Sequence, residues 1–465
     1  MPNLLAARSQ MGLSLGFHII FSALGVGLPL ILCIAEGLAL LRKDGSWMAL
    51  ARQWTKAFAI LFAVGSVSGV IVEFELSLLW PRWISFAGAL IGLPFAMEGF
   101  AFFLEGIFLG IYLYGWNRLS PVVHWMCSLP IVLSGLFSAW FVVSANSWMN
   151  SPSGFQMVNG KAVNINPFAA ILNPSTPFET THMILACYVV VGFGTAAVYA
   201  AGMLRGKRDD YHRKGLLLGM ALAVVAIPLQ IVSGDFNARF LEQGQPAKYA
   251  AIEGLVTSGY GLPLYIGGIA DPTTGQVYGA LEIPHGESLL AHFDLNSYAR
   301  GINEIPAQDH QTAGSFEAVH LAFDGMVFIA FFSLLVAVVF WLLFLSRKRR
   351  VPENKLVLWG AAIAGSLSFI AVELGWIVTE EGRQPWIIYN LMLVRDAPNP
   401  AQWITVSFIV FSCIYVLLGT TLIVLLLRLA RRPKTPMVWN EFVQREEEGE
   451  EQRSQGLERK KAGAR

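Results

Sequence analysis

Nine long apolar segments are the feature that most constrains how this chain can fold. Each approaches or exceeds the roughly 20 mainly apolar residues that a helix needs to cross the hydrocarbon core of a bilayer. The segments cover residues 12–41, 57–80, 91–115, 122–146, 181–204, 215–233, 317–345, 356–379 and 402–430. We therefore predict an all-α membrane protein with nine transmembrane helices, the first of which is a retained span and not a signal peptide.

The composition excludes an ordinary soluble domain and a nucleic-acid-binding protein. Only 14% of the residues are charged, whereas soluble domains contain about 25%. The net charge is +1, from 33 basic and 32 acidic residues. The chain thus lacks the excess of positive charge that binds nucleic acid, and we expect a lipid bilayer to surround most of it.

The basic residues predict the orientation, because Lys and Arg concentrate in short cytoplasmic loops. One set of loops contains fifteen of them, and the opposite set, with the N-terminal segment, contains five. This distribution places the N-terminus outside and the C-terminus in the cytoplasm.

The spans divide the chain into four regions. Residues 1–233 contain helices one to six, residues 317–430 contain helices seven to nine, and residues 431–465 form a charged cytoplasmic tail. Residues 234–316 form one long external loop between spans six and seven, polar and rich in Gly and Pro. Loops of this length are commonly functional or disordered, so we predict a substrate site there.

Two glutamates lie within the third apolar segment. Glu98 and Glu105 are seven residues apart, which puts them on one helix face, about 10 Å apart along the axis. Ionisable side chains at bilayer depth are costly and need a function or a partner. Two interpretations are open: a proton relay, or two protonated glutamic acids that hydrogen-bond neighbouring helices.

A second polar stripe lies in and just after the eighth segment. Glu373, Trp376, Glu380 and Arg383 are separated by three, four and three residues, so they lie near one helix face. Glu380 and Arg383 fall close to the predicted outer surface. Spacing alone is equally compatible with a functional site and with helix packing.

Candidate iron ligands lie in the outer part of the predicted bundle. His18 is in the first segment, His182 starts the fifth, and Met326 is about ten residues into the seventh. Imidazole and thioether are common axial ligands of haem iron; a structural histidine and a methionine that only fills the core are the alternatives. With eight histidines in all, the chain cannot supply the ligands of a haem–copper oxidase core.

Longer motifs point to one family. The run Gly375 to Trp386 reads GWIVTEEGRQPW and fits a GWxxxExGRQPW signature. Supporting runs are Arg8-Ser9-Gln10 before Phe17-His18, Glu98-Gly99 before Phe102-Phe103-Leu104-Glu105, and Ala145-Asn146-Ser147-Trp148-Met149. With these motifs the chain resembles, over essentially its whole length, subunit I of cytochrome bd-type quinol oxidases, the cyanide-insensitive, short-loop branch included.

The resemblance implies a set of haem ligands. His182 and Met326 would be the axial ligands of a low-spin haem b. His18 and Glu380 would bind two high-spin haems: a haem b, and a haem d or a further haem b in its place. Which of the two residues binds which high-spin haem is open.

The resemblance also assigns the surroundings of the haems. Trp376 would lie between haems, while Arg8 and Arg383 would stabilise charge around their pockets. One position departs from the family, which commonly has an Arg two residues before the ligand Met. This chain has Asp324 there, and His320 is a conceivable substitute ligand.

Proton and quinol residues follow from the same resemblance. Glu98 and Glu105 resemble the carboxylates of the proton pathway. In the external loop, Lys248-Tyr-Ala-Ala-Ile-Glu253 matches the family's K-x4-E quinol-oxidation element. Glu253 would accept a proton and Lys248 would donate a hydrogen bond to the quinone ring; the alternative is an exposed ion pair on a loop helix.

The function implied is that of a terminal respiratory oxidase in the inner (plasma) membrane of a prokaryote. It would oxidise ubiquinol or menaquinol at the outer face and reduce O2 to water with protons from the cytoplasm. A smaller membrane subunit II, and in some members an extra single-span subunit, would be its partners. The alternatives from other classes are a proton-coupled secondary transporter without cofactor, although no inverted repeat is visible, and a non-catalytic membrane scaffold.

Overall fold

A computed structural model describes residues 3–401 and 403–431 of the chain. Within these residues, nine helical spans are long and apolar enough to cross a membrane, which confirms the predicted fold class. The predicted tail, residues 431–465, lies outside the described residues except for Arg431. The helices are α1 (Asn3–Arg42), α2 (Gly45–Leu79), α3 (Pro81–Gly115), α4 (Pro121–Met126), α5 (Ser128–Asn150), α6 (Pro167–Ile171), α7 (Thr176–Leu204), α8 (Asp210–Gly244), α9 (Pro246–Ile252), α10 (Gly286–His292), α11 (Ala313–Ser346), α12 (Lys355–Gly382) and α13 (Ile404–Arg431).

Several helices are longer than the apolar segments that predict them. The sequence predicts a sixth span over residues 215–233, whereas α8 continues to Gly244. In this extension Asp235 and Arg239 form an i,i+4 ion pair of 2.9 Å, which supports helical turns that have no apolar pattern. The connection to α11 therefore comprises residues 245–312 and is shorter than the predicted 234–316.

Helices α1 and α7 form the centre of the bundle, and α13 lies at its edge. About half of the most apolar stretch is buried in α1 and α7 (50% and 56%), against 6% in α13. Glycines bring α7 and α8 together: a Cβ on Gly219 would lie 2.5 Å from the backbone nitrogen of Ala196. Small residues are the usual means of close helix contact in membranes.

The strands are short and lie outside the spans. They are β1 (Gln156–Val158), β2 (Lys161–Val163), β3 (Gly259–Tyr260), β4 (Leu264–Ile266), β5 (Ile269–Asp271), β6 (Gln276–Tyr278), β7 (Leu281–Ile283), β8 (Tyr298–Ala299), β9 (Trp386–Ile388) and β10 (Met392–Leu393). All pair antiparallel, as β1–β2, β3–β8, β4–β7, β5–β6 and β9–β10.

The segment of residues 245–312 is folded and attached to the spans. Its apolar residues, among them Tyr249 and Ile252 of α9, share a core with Phe316 and Val319 of α11. The segment therefore lies at the end of the bundle where α8 ends and α11 begins; we call this the segment end.

A buried polar network connects three helices at the other end. The Tyr112 hydroxyl donates to Glu36 Oε2 at 2.5 Å. His124 places Nδ1 2.7 Å from Glu36 Oε1 and Nε2 2.8 Å from the Tyr112 carbonyl oxygen. Since all three side chains are buried, these bonds fix α1, α3 and α4 relative to one another.

Candidate functional site

A cluster of charged and amide side chains lies at the segment end, where α5 and α12 finish. Glu380 accepts hydrogen bonds from Arg383 Nη2 at 2.6 Å and from Asn146 Nδ2 at 2.8 Å. Arg383 is buried and also donates to Asn150 Oδ1 at 3.1 Å. The Arg383 guanidinium therefore joins the carboxyl of Glu380 on α12 to the end of α5, and hydrogen bonds of a guanidinium to a carboxyl group fix its orientation.

Lys248 of α9 reaches the same cluster. Its side chain is 4% exposed, and Nζ donates to the Thr379 carbonyl oxygen at 3.3 Å. Burial lowers the pKa of Lys248 to about 8, although the negative charge of Glu179 opposes the shift. A Cβ on Gly382 would lie 2.8 Å from Lys248 Cγ, so the glycine provides the space that the lysine stem occupies.

Glu253 follows α9 directly and lies in a different environment from Lys248. It is 8% exposed, and its carboxyl faces Glu287. Burial, followed by the charge of Glu287, raises the pKa of Glu253 well above its ordinary value. Both members of the K-x4-E element are thus buried and have separate neighbours, so the alternative of an exposed ion pair between them is wrong.

The side chain of His18, a residue of α1, faces α2. Its Nδ1 is 2.9 Å from the Ser68 hydroxyl, and its Nε2 is 2.9 Å from the Ser22 hydroxyl. Ser22 also lies 3.3 Å from the His18 carbonyl oxygen, an acceptor it can use instead, leaving Nε2 available as a ligand. The ring packs on Gly69, where an added Cβ would be 3.0 Å from Cε1.

His182 and Met326 each face a glycine on a neighbouring helix. A Cβ on Gly234 would lie 3.3 Å from His182 Cε1, and one on Gly375 would lie 3.1 Å from Met326 Sδ. His182 Nε2 is 2.9 Å from the Gln230 amide nitrogen, and its Nδ1 is buried without a hydrogen-bond partner among the described residues.

These features fit haem as the cofactor. Imidazole nitrogens and a methionine thioether are ligand types of haem iron, and the glycines remove side-chain bulk beside His18, His182 and Met326. Across the described ranges, no three His, Cys, Asp or Glu side chains form a group that could hold a bare metal ion.

Trp376, Arg8 and Glu373 differ in their hydrogen-bond and ion-pair partners. Trp376 Nε1 is buried and has no hydrogen-bond partner in the described part of the chain. Arg8 forms an ion pair of 2.7 Å with Glu381 and not with Glu380. Glu373 Oε2 would lie 3.3 Å from a Cβ on Gly16, which places this carboxyl at the contact between α1 and α12.

His320 and Asp324 hold residues 245–312 against α11. The two ring nitrogens of His320 lie 3.0 Å and 3.3 Å from the carbonyl oxygens of Ile252 and Gly267. Asp324 Oδ2 accepts from the Gly267 N–H at 2.5 Å and lies 3.7 Å from His320 Nε2. Since both nitrogens of His320 face backbone acceptors, its side chain attaches residues 245–312 to α11.

The predicted relay glutamates differ in their environment. Glu98 accepts from the Ser138 hydroxyl at 3.1 Å, and Glu73 of α2 lies beside it. Glu105 is buried, and its Oε1 has no hydrogen-bond partner among residues 3–401 and 403–431. The hydrogen bond from α5 fits helix packing at Glu98, and the proton relay through both carboxyls stays a prediction.

Sequence reasoning misses several acids that the fold brings to these positions. Glu73 and Glu36 lie within predicted spans, so the cost of a charge at bilayer depth could have singled them out. Glu179 accepts from Asn150 Nδ2 at 2.9 Å and lies one turn before His182. Glu287 gives no sequence signal, because only the pairing of the 245–312 segment brings it to Glu253.

Comparisons with known proteins cover nearly the whole chain. Residues 6–434 match the family model described as cytochrome bd terminal oxidase subunit I. A Bacillus subtilis (strain 168) protein provisionally named a cytochrome bd menaquinol oxidase subunit I is 34% identical, over 93% of this chain and 97% of that protein. The cytochrome bd ubiquinol oxidase subunit 1 of the same strain is 30% identical, over 92% and 93%.

A solved structure has the same fold. The bd oxidase from Geobacillus thermodenitrificans superposes with a TM-score of 0.86 and 35% sequence identity, covering 92% of this chain and 98% of the matched chain.

Proposed function

The chain belongs to the cytochrome bd terminal oxidase subunit I family, and from this premise we propose that it oxidises a membrane quinol at its outer face and passes the electrons to O2. The chain is a multi-pass membrane oxidoreductase subunit of a bacterial respiratory chain. The match over residues 6–434, which includes the run from Gly375 to Trp386 at the cluster around Glu380, is the observation that carries the proposal.

In this proposal, four side chains are the ligands of the haems. His182 and Met326 hold a low-spin haem b, while His18 and Glu380 hold the high-spin haem b and a haem d, or a further haem b. When bound, these groups supply electron transfer from quinol and the reduction of O2 to water. The buried, unpartnered nitrogen of His182 and the glycines beside His182 and Met326 support this assignment.

Quinol binds beside α9. Lys248 donates a hydrogen bond to the quinone ring, and Glu253 accepts a proton from the quinol hydroxyl. Burial and the charge of Glu287 raise the pKa of Glu253, which supports this role because a raised pKa makes a carboxylate a stronger base.

Protons for O2 reduction move through the carboxyls of α3 from the cytoplasm. Glu105 takes up the proton and Glu98 passes it on, with Glu73 as a further acid beside Glu98. Because quinol oxidation releases protons outside and O2 reduction consumes protons from inside, charge is separated without a pump. The orientation with the N-terminus outside rests on the distribution of Lys and Arg.

A second subunit covers part of this chain. Glu73 is exposed on the surface of a span, and a carboxyl that faces hydrocarbon is costly. We assign this face of α2 and α3 to subunit II, with an extra single-span subunit as a further partner.

The optical spectrum of the purified protein tests the proposal. We expect reduced-minus-oxidised haem bands that shift with carbon monoxide, together with quinol-dependent O2 uptake. A colourless protein would contradict the oxidase and favour the cofactor-free transporter.

A further inference from the structure

Two buried carboxyls face each other beside the proposed quinol site. Glu253 lies at the end of α9, and Glu287 lies in the first turn of α10. Glu287 is fully buried, and its Oε2 has no hydrogen-bond donor in the described part of the chain. Two facing carboxylates repel each other, which disfavours the state in which both are charged.

Lysine and arginine side chains in the described part of the chain leave this pair without an ion-pair partner, and His292 is the cation whose charge acts on Glu287. Across the two described ranges, neither carboxyl forms an ion pair with a Lys or Arg. Lys248 is on the short helix that Glu253 directly follows, but it donates to the Thr379 carbonyl oxygen on α12. Burial is the main reason that the pKa values of both Glu253 and Glu287 are raised.

A line of titratable groups connects the pair to the protein surface. The Tyr249 hydroxyl donates to Glu287 Oε1 at 2.6 Å. Glu242 is close enough for its charge to act on both Tyr249 and Glu287, and its Oε1 lies 2.9 Å from His292 Nε2. The side chains of Glu242 and His292 are 18% and 35% exposed, so this end meets water.

Other charged groups pack around the line and do not interrupt it. Asp324 of α11 acts on Glu253 but bonds the Gly267 N–H. Arg239 of α8 is paired with Asp235 and donates to the Ala291 carbonyl oxygen.

We propose that Glu287 is the second proton carrier of the quinol site and delivers protons through the Glu242–His292 pair to the outside. The inference rests on the proposed quinol oxidation. When the quinol O–H bond breaks, the proton forms an O–H bond on Glu253 and the electron leaves towards O2 as final acceptor. The proton then moves to Glu287, and next to Glu242 or His292, which releases it to water.

The test compares two electron donors on the purified complex with its partner subunit. Glu287→Gln keeps an oxygen that accepts from Tyr249 but cannot carry a proton as a carboxyl does. We expect kcat with quinol to fall at least tenfold with KM within twofold. Oxidation of N,N,N′,N′-tetramethyl-p-phenylenediamine, which yields an electron without a proton, should be unchanged. Glu282→Gln, an exposed acid on β7, is the matched control.

The outcomes separate the two proposals. An unchanged kcat with quinol, or an equal loss with both donors, overturns the role of Glu287 but leaves quinol oxidation standing. Wild-type protein that oxidises no quinol overturns both.

If Glu287→Gln does not fold, a variant of the surface residue His292 tests the same proposal. His292→Ala should lower the quinol kcat, and imidazole in solution should restore it because the position is solvent-accessible. Absence of both effects contradicts the proposed exit.

Discussion

Replacing Gly254 by Ala should destabilise α9, the helix that we propose binds quinol. Gly254 has φ +65°, and an added Cβ would lie 2.9 Å from His320 Cε1 and 3.2 Å from each ring nitrogen. The ring is fully buried and bonded to two carbonyl oxygens, so it cannot move aside. Forcing a methyl group into a packed site costs about 1–3 kcal/mol, in addition to the strain of alanine at positive φ.

Gly267→Ala is a matched control for that change. Gly267 has the same φ of +65°, contacts the same histidine through its carbonyl oxygen, and has nothing within 4 Å of an added Cβ. Amide hydrogen exchange over residues 245–256 should therefore be about 5- to 150-fold less protected in Gly254→Ala than in Gly267→Ala. Equal protection in the two variants would refute the ring contact as the constraint.

Three further predictions concern Glu105 and Lys248, the residues proposed to act on protons and quinol. Glu105→Ala should lower O2 consumption about 100-fold or more while quinol still reduces the low-spin haem, as measured with an oxygen electrode and by absorbance; unaffected turnover would remove Glu105 from the pathway. The quinol KM should rise as pH increases through about 8, because burial lowers the pKa of Lys248 to about 8 and the neutral amine is a weaker donor; a KM flat to pH 9.5 would contradict this. The same lowered pKa makes the unfolded chain bind more protons than the folded one between about pH 8 and the ordinary value of 10.5, so wild-type stability should rise across that window relative to Lys248→Met in thermal unfolding.

The spans could be predicted from the sequence because hydrocarbon imposes a simple rule on length and polarity. The rule does not apply to helical turns outside the hydrocarbon core. For this reason the sequence does not predict the last turns of α8, which contain Asp235 and Arg239. The motif around Glu380 identifies the family, but a motif does not show which side chains pair with each other. Arg8, for example, forms its ion pair with Glu381. Glu287 could not be found at all, since contacts that form between distant strands and helices place it.

The shortness of α9 has a consequence for a molecule bound against it. Seven residues, Pro246–Ile252, separate a surface where Lys248 and Arg383 gather from one where Glu253 and Glu287 gather. In the proposed function, a quinol at this helix would have Lys248 and Arg383 towards α12 and the two facing carboxyls towards α10. The hydrogen bond to the ring and the uptake of the proton would then belong to separate side chains on either side of one short helix.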